Sequence, residues 1–334
     1  MKQKKKAKKQ ILALLLACLS LLLCGCKIGN ADVVLTTNLS DDEVFCIGKK
    51  TVSIAEAKVY LCNYQNIYGS AYGLNLWEND SHKEELQQYV KDVALSEMTR
   101  IVTMAQLARE KDIALTGEEQ ILVEQAAEAY YDSLTEAELD YMNVRQSTIE
   151  SLYEDYMLAR KVYDTLTEGV NQEVSDDEAR VMEASVIYVK DRNRAAEVLN
   201  QLNSGRDYLV VAADYNETAE SDMTFGRGTL PPEVDKVAFQ MEDGQVSECI
   251  STDDGYYFLQ CVNKYNQELT DSNKSRIVRK REQEAFDAEY DAFVANLSSD
   301  LNENVWKELK LQTDGSITTN SYFTVFERYF GTGK

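Results

Sequence analysis

Two hydrophobic periods share this chain, and the switch between them limits its folds more than any other feature. Val90, Ala94, Met98, Ile101, Ala105 and Ala108 recur at spacings of four and three. Ile149, Leu152, Tyr156, Ala159, Tyr163 and Leu166 do the same, so each set lies on one face of a helix. Thr116 with Glu119, and Ser175 with Glu178, have capping-box spacing and mark helix starts. Near Met182 the pattern changes. EASVIYVKD (Glu183–Asp191) is β-branched and apolar and reads as a strand. Arg194–Gly205 and Arg206–Asn216 read as helices. A short helix through Ala238 and Phe239 follows a Gly-Arg-Gly turn. Gly244–Ser251 and Tyr256–Val262 then form a hairpin around Asp253-Asp254-Gly255. Beyond Thr270 helical spacing returns, with Phe286, Tyr290, Phe293, Leu297 and Leu301 on one face. A lone helix with such a stripe is not stable. It is expected to pack back on the first helical body, which leaves the mixed segment as an insertion.

The first 26 residues read as an address. Six lysines lie between Lys2 and Lys9, ahead of the apolar run Ile11–Leu23. Thirteen residues are too few to span a bilayer as a helix, which takes roughly 20, and a basic start with a short apolar core is a signal-peptide pattern. The run ends in Leu23-Cys24-Gly25-Cys26, which resembles a bacterial lipobox. The expectation is a lipoprotein signal peptide over 1–25, a lipidated Cys26 that tethers the protein outside the cytoplasm at the cell membrane, and a polar tether over 26–43. VFCIGKKTVS (Val44–Ser53) then looks like a short hairpin turning at Gly48.

Charge and composition remove whole classes of function. Of 35 basic residues six lie in the signal, so 29 face 57 acidic ones, a net charge of −28. Such a surface repels phosphates and anionic headgroups, so nucleic acid is not an expected partner. The single histidine, His82, excludes histidine-rich zinc sites and leaves no Ser-His-Asp triad, since no G-x-S-x-G occurs. It reads as a solvated first-turn residue. Cys46, Cys62, Cys249 and Cys261 have no CxxC or metal spacing and read as buried free thiols, although disulfides are permitted in that compartment. No metal or cofactor is expected.

GRGTLPPEVDKVAF (Gly226–Phe239) holds both prolines of the chain, Pro231 and Pro232. Proline at a first helical turn loses nothing, because its missing N–H would be unpaired there. Glycine freedom is expected at Gly226 and Gly228 in the turn before it. Around this stretch, EASVIYVKD, LNSGRDYLVVAADYN and FGRGTLPPEVDKVAFQMEDGQVSECISTDDGYYFLQCV follow one another without large gaps. Together they resemble a parvulin-type (PpiC-like) peptidyl-prolyl isomerase, or rotamase, domain. The flanking helices and the VFCIGKKTVSIAEAKVYL opening are similar to the chaperone body of PrsA-type and SurA-type foldases, in which a parvulin module is inserted. The resemblance implies an α+β fold. It gives a SurA-like helical domain over 44–181, a parvulin-like domain over 182–266, and C-terminal helices over 267–334 that pack on the first.

By that resemblance Leu230, Val234, Phe239 and Tyr257 line a prolyl pocket, and Pro232 starts the helix at its lip. The catalytic positions depart from the family. Its two histidines fall at Val186 and Tyr257, and its Cys/Asp position falls near Thr218 in a shortened loop. Valine can neither donate nor accept a hydrogen bond, so weak or absent isomerase activity is expected. Two readings stay open: a relic domain that packs or holds peptides, which we favour, and residual catalysis by desolvation alone. The implied function is a membrane-anchored foldase that assists protein export by binding unfolded or exported polypeptides. A homodimer is allowed by the sequence. The alternative is a non-enzymatic envelope scaffold that reuses the fold. The aromatic tail SITTNSYFTVFERYFGTGK suggests only a docking helix.

Overall fold

A computed structural model describes residues 39–71, 74–78 and 82–331. Cys26 lies outside the described residues. The described residues divide into two compact units, one comprising Gly169–Glu284 and the other the described residues up to Glu168 together with those from Ala285 onward.

The larger unit opens with β1 (Glu43–Ile47) and β2 (Lys50–Ser53), antiparallel around Gly48. Gly48 has φ +56°, and a Cβ there would lie 2.6 Å from Oε1 of Gln106. That amide uses both its ends on the turn, donating to the Ile47 carbonyl (2.8 Å) and accepting from Lys49 N (3.0 Å). Ser53 and Glu56 cap each other's backbone N–H groups at the start of α1 (Ile54–Gly69). A two-stranded pair, β3 (Ser70–Ala71) and β4 (Leu74–Asn75), follows. Four helices come next: α2 (Lys83–Glu110), α3 (Gly117–Asp132), α4 (Glu136–Met142) and α5 (Gln146–Thr167). Capping boxes start α3 at Thr116/Glu119 and α4 at Thr135/Glu138. All six stripe residues of α2 are buried, and α5 buries Ile149, Leu152 and Ala159 of its stripe. Asp155 on α5 is buried between the ammonium of Lys50 (3.5 Å) and the guanidinium of Arg109 (2.7 Å), an ion-pair junction of β2, α2 and α5. His82 stands exposed just before α2, beside Glu85.

In the smaller unit α6 (Asp176–Ala179) leads into a four-stranded antiparallel sheet of order β6-β5-β8-β7. The strands are β5 (Val181–Val189), β6 (Asp222–Gly226), β7 (Ile250–Ser251) and β8 (Tyr256–Asn263). Between β5 and β6 run α7 (Arg192–Asn203) and α8 (Tyr208–Tyr215), and α9 (Pro232–Ala238) follows β6. Alternation along β5 and β8 gives the sheet two apolar faces. One, with Ile187, Val189 and Phe258, is covered by Ala195, Val198, Tyr208 and Val211 of α7 and α8. The other carries Met182, Ala184, Val186, Leu259 and Cys261 under Val234 and Ala238 of α9. The fold class is α+β.

Three local expectations change. The expected strand Gly244–Ser251 shrinks to Ile250–Ser251, with an isolated bridge between Val246 and Gln260. The ladder breaks at Ser247, whose hydroxyl accepts from Leu259 N (2.9 Å) in place of a carbonyl. The stripe through Leu301 is not one helix. The helix α10 (Gln267–Val294) stops at Val294, and β9 (Ser299–Leu301) pairs with the open edge of β1, Leu301 opposite Phe45. Of the two glycines in the turn before α9, only Gly228 has positive φ (+75°). After β9 come α11 (Glu303–Glu308) and α12 (Tyr322–Phe330), the second being the aromatic tail. Cys46, Cys62, Cys249 and Cys261 are free thiols, Cys62 and Cys261 buried.

Candidate functional site

The α9 face of the small sheet gathers the residues singled out in the sequence. Pro232 is the first residue of α9, with Pro231 ahead of it in extended conformation (ψ 145°). From this helix Val234 is fully buried against the sheet, and Phe239 just beyond it is 6% exposed. Leu230, in the preceding loop, and Tyr257, on β8, pack on the same cluster but remain partly exposed. Val186 sits in its floor, on β5 opposite Leu259. Five of the named positions therefore share one apolar face. Thr218 does not join them. It is exposed in the loop after α8, where its hydroxyl accepts from the Asn216 amide (2.8 Å) and donates to the Glu220 carbonyl (2.9 Å).

Phe239 is less open than its position suggested. The Arg227 guanidinium lies 4.5 Å from its ring centroid and that of Arg180 5.1 Å. Arg180 also donates to the Phe239 carbonyl (2.5 Å), and Arg227 forks onto both oxygens of Asp177 (2.7 Å each). The hydrogen bond from Arg227 holds the Asp177 carboxyl below its ordinary range. With Phe225 edge-on at 5.9 Å, Phe239 is enclosed on several sides. Leu230 and Tyr257 are thus the two of these side chains that remain partly exposed.

Sequence reasoning missed two partners of Tyr257. Tyr188, directly opposite on β5, packs its ring at 4.8 Å and a tilt of 49°, and Asp254 in the β7–β8 turn accepts from the Tyr257 hydroxyl (3.1 Å). Tyr188 donates to the Asp254 backbone carbonyl (2.5 Å). Burial, and then the Asp254 carboxylate, push the Tyr257 phenol up to about 12, so it stays protonated at neutral pH. The polar element at this rim is a Tyr-Tyr-Asp clasp, and its main donor is already committed. Thr252 ties the same turn by accepting from Gly255 N and donating to Asp254. A turn signal at Asp253-Asp254-Gly255 was legible, but nothing local said that two strand tyrosines would reach it.

Gly255 makes the clasp possible. A Cβ there would stand 2.6 Å from Cε2 of Tyr188 and 2.7 Å from the Val189 carbonyl oxygen. The carbonyl belongs to the central strand and cannot yield, so overpacking costs of 1–3 kcal/mol apply. Gly255→Ala is expected to destabilise the small unit by about 2 kcal/mol, read as a lower urea midpoint at unchanged slope. A cost below about 0.5 kcal/mol would show that the turn relaxes freely.

Residues 171–271 match the PPIC-type PPIASE domain family. Over longer stretches the chain is similar to the foldase protein PrsA of Halalkalibacterium halodurans, 26% identical over 216 residues, which is 59% of this chain and 59% of that protein. It is also similar to foldase protein PrsA of Caldanaerobacter subterraneus subsp. tengcongensis, 24% identical over 233 residues, 66% of this chain and 73% of that protein. The match to the first thus spans less than two-thirds of its length. A crystal structure of peptidylprolyl isomerase (PrsA) from Bacillus cereus aligns with 79% of this chain and 99% of its own, at 22% identity and a TM-score of 0.38. The match to the PPIC-type family covers residues 171–271, and over longer stretches the chain is similar to PrsA foldases.

Proposed function

We propose that the protein is a membrane-anchored extracytoplasmic foldase that binds unfolded segments of exported polypeptides, and that its parvulin domain isomerises X–Pro bonds weakly or not at all. One observation carries the second part. The face that α9 covers retains an apolar lip at Leu230 while the two positions of the family's histidines hold Val186 and a Tyr257 whose hydroxyl is engaged by Asp254. Rotation about the prolyl amide must overcome roughly 18–20 kcal/mol. An apolar surface favours the less polar twisted amide by desolvation, but here it lacks a free donor to finish the task.

A peptide isomerisation assay on the soluble chain is expected to give a rate within about tenfold of the uncatalysed one, equivalent to about 1.4 kcal/mol of barrier. The same preparation should suppress aggregation of several unrelated unfolded proteins. High catalytic efficiency that disappears in Leu230→Asp would overturn the first expectation. Failure to bind any unfolded protein would favour a scaffold with one fixed partner. The anchor is tested separately: Cys26→Ala should release the protein from membranes or leave an uncleaved precursor, and unchanged membrane retention would defeat it.

A further inference from the structure

The tail between α11 and α12 is held in an unusual way. Leu309–Ser321 has no regular secondary structure, yet Leu309, Leu311, Ile317 and Thr319 are buried while Lys310, Thr318 and Asn320 are exposed. That is the alternation of an extended strand, without a neighbouring strand to pair with. Its backbone bonds go to side chains of the helical body instead. Gln65 accepts from Gln312 N (2.8 Å) and donates to the Gln312 carbonyl (2.6 Å), so one amide reads both polar groups of a single residue. Lys91 donates to the carbonyls of Trp306 (2.5 Å) and Leu309 (2.8 Å), and Tyr141 to that of Lys310 (2.7 Å). Asn66 donates to the Thr319 carbonyl (2.9 Å). Glu138 accepts from Thr318 N and Thr319 N (2.7 Å each), and Asn63 from Tyr322 N (3.0 Å).

Main-chain bonds combined with alternate inward side chains are how grooves bind extended peptides of varied sequence: the backbone supplies affinity and the inward positions set preference. Nor does the tail fill its groove. A cavity of about 270 Å³ remains beside it, bordered by Gln65, Trp77, Gln312 and Ile317.

We infer that the groove along α1, α2 and α4 is a binding site for an extended polypeptide with alternating apolar residues, and that Leu309–Ser321 occupies it as a stand-in for a client chain. The inference rests on the foldase reading and adds where a client binds and what it must displace. Because the tail is tethered at both ends, its effective concentration at the groove is of millimolar order. Cutting the tether leaves a fragment diluted to about 1 μM in a typical assay, so competition with a client falls by up to about a thousandfold.

The test uses the full chain with a protease site inserted between Asp314 and Gly315, both exposed in a turn. After cleavage the C-terminal fragment should stay bound on gel filtration, with helical circular dichroism retained. A permanently unfolded probe, carboxymethylated α-lactalbumin, should then displace the fragment and bind at least about tenfold more tightly than to the uncut chain. In the uncut chain Ile317→Ala, which loosens the buried tail and leaves the groove side chains intact, should raise probe affinity in the same direction. Equal probe binding before and after cleavage would overturn this inference and leave the foldase reading standing. Absence of probe binding in every form would overturn both. Loss of helical signal on cleavage, with no gain in probe binding for uncut Ile317→Ala, would show that the tail is ordinary core.

Discussion

Replacing Tyr322 by alanine is expected to cost the larger unit about 3–5 kcal/mol, the usual range for deleting a buried aromatic ring. Tyr322 is fully buried at the start of α12. Its ring stacks on Tyr153 at 4.5 Å and 18°, with Tyr130 at 5.4 Å and Tyr60 at 5.5 Å around it. Removing the ring opens a cavity walled by three tyrosines, each fixed from elsewhere in the unit. The backbone bonds at this residue, from Tyr322 N to Asn63 and from the Tyr153 hydroxyl to the Tyr322 carbonyl, survive the substitution. The loss is therefore one of packing. Urea unfolding followed by far-ultraviolet circular dichroism should show it as a lowered midpoint. Tyr322→Phe keeps the ring and should stay within about 1.5 kcal/mol of the native chain. A loss below 1 kcal/mol for the alanine variant would mean that the surrounding rings collapse into the space.

Glu138→Gln is expected to cost about 2 kcal/mol at pH 7, because hydrogen bonds to a charged acceptor contribute more than neutral ones. The Glu138 carboxylate closes the capping box of α4 by accepting from Thr135 N (2.9 Å) and also holds Thr318 N and Thr319 N. Burial alone would raise its pKa, but these backbone donors outweigh it and hold the carboxyl below its ordinary value. A carboxyl depressed in the folded state contributes stability in full above its unfolded value, about 4.3, and loses it as pH falls through the folded value. The gap in stability between native chain and variant should accordingly be constant from pH 6 to 8 and narrow below about pH 4. A gap that does not change with pH would show that shape, rather than charge, ties the tail to α4.

The features legible in the sequence were those with a local physical cause. Helix faces follow from three-and-four spacing, so the α2 stripe from Val90 to Ala108 was readable and is buried throughout. Thr116 with Glu119 marks a helix start because a hydroxyl and a carboxylate three residues apart satisfy each other's backbone donors. Gly48 and the paired prolines punctuate the chain for equally local reasons, and both stand at the turns expected of them. The α9 face was reached through the parvulin resemblance rather than through spacing, and Val186 and Tyr257 lie together on that side of the sheet.

Tertiary structure decided what depends on residues far apart in the chain. Leu301 continued a helical stripe by spacing, yet it pairs with Phe45 because β1 had an open edge whose backbone groups needed partners. Phe239 carried the pattern of a pocket residue, but Arg180 and Arg227 cover it, and no spacing rule links an arginine before β5 to a phenylalanine after α9. Tyr257 meets Asp254 and Tyr188 only once the turn folds back on the sheet. The tail shows the division most clearly. Its aromatic richness suggested only a docking helix, and α12 is the helix that forms there. Its irregular stretch carried no periodic signal, because its backbone is satisfied by Gln65, Lys91 and Glu138, which stand more than 170 positions away in sequence. Local chemistry chose the helices, strands and turns; the need to pair every buried polar group chose which distant side chains would hold them.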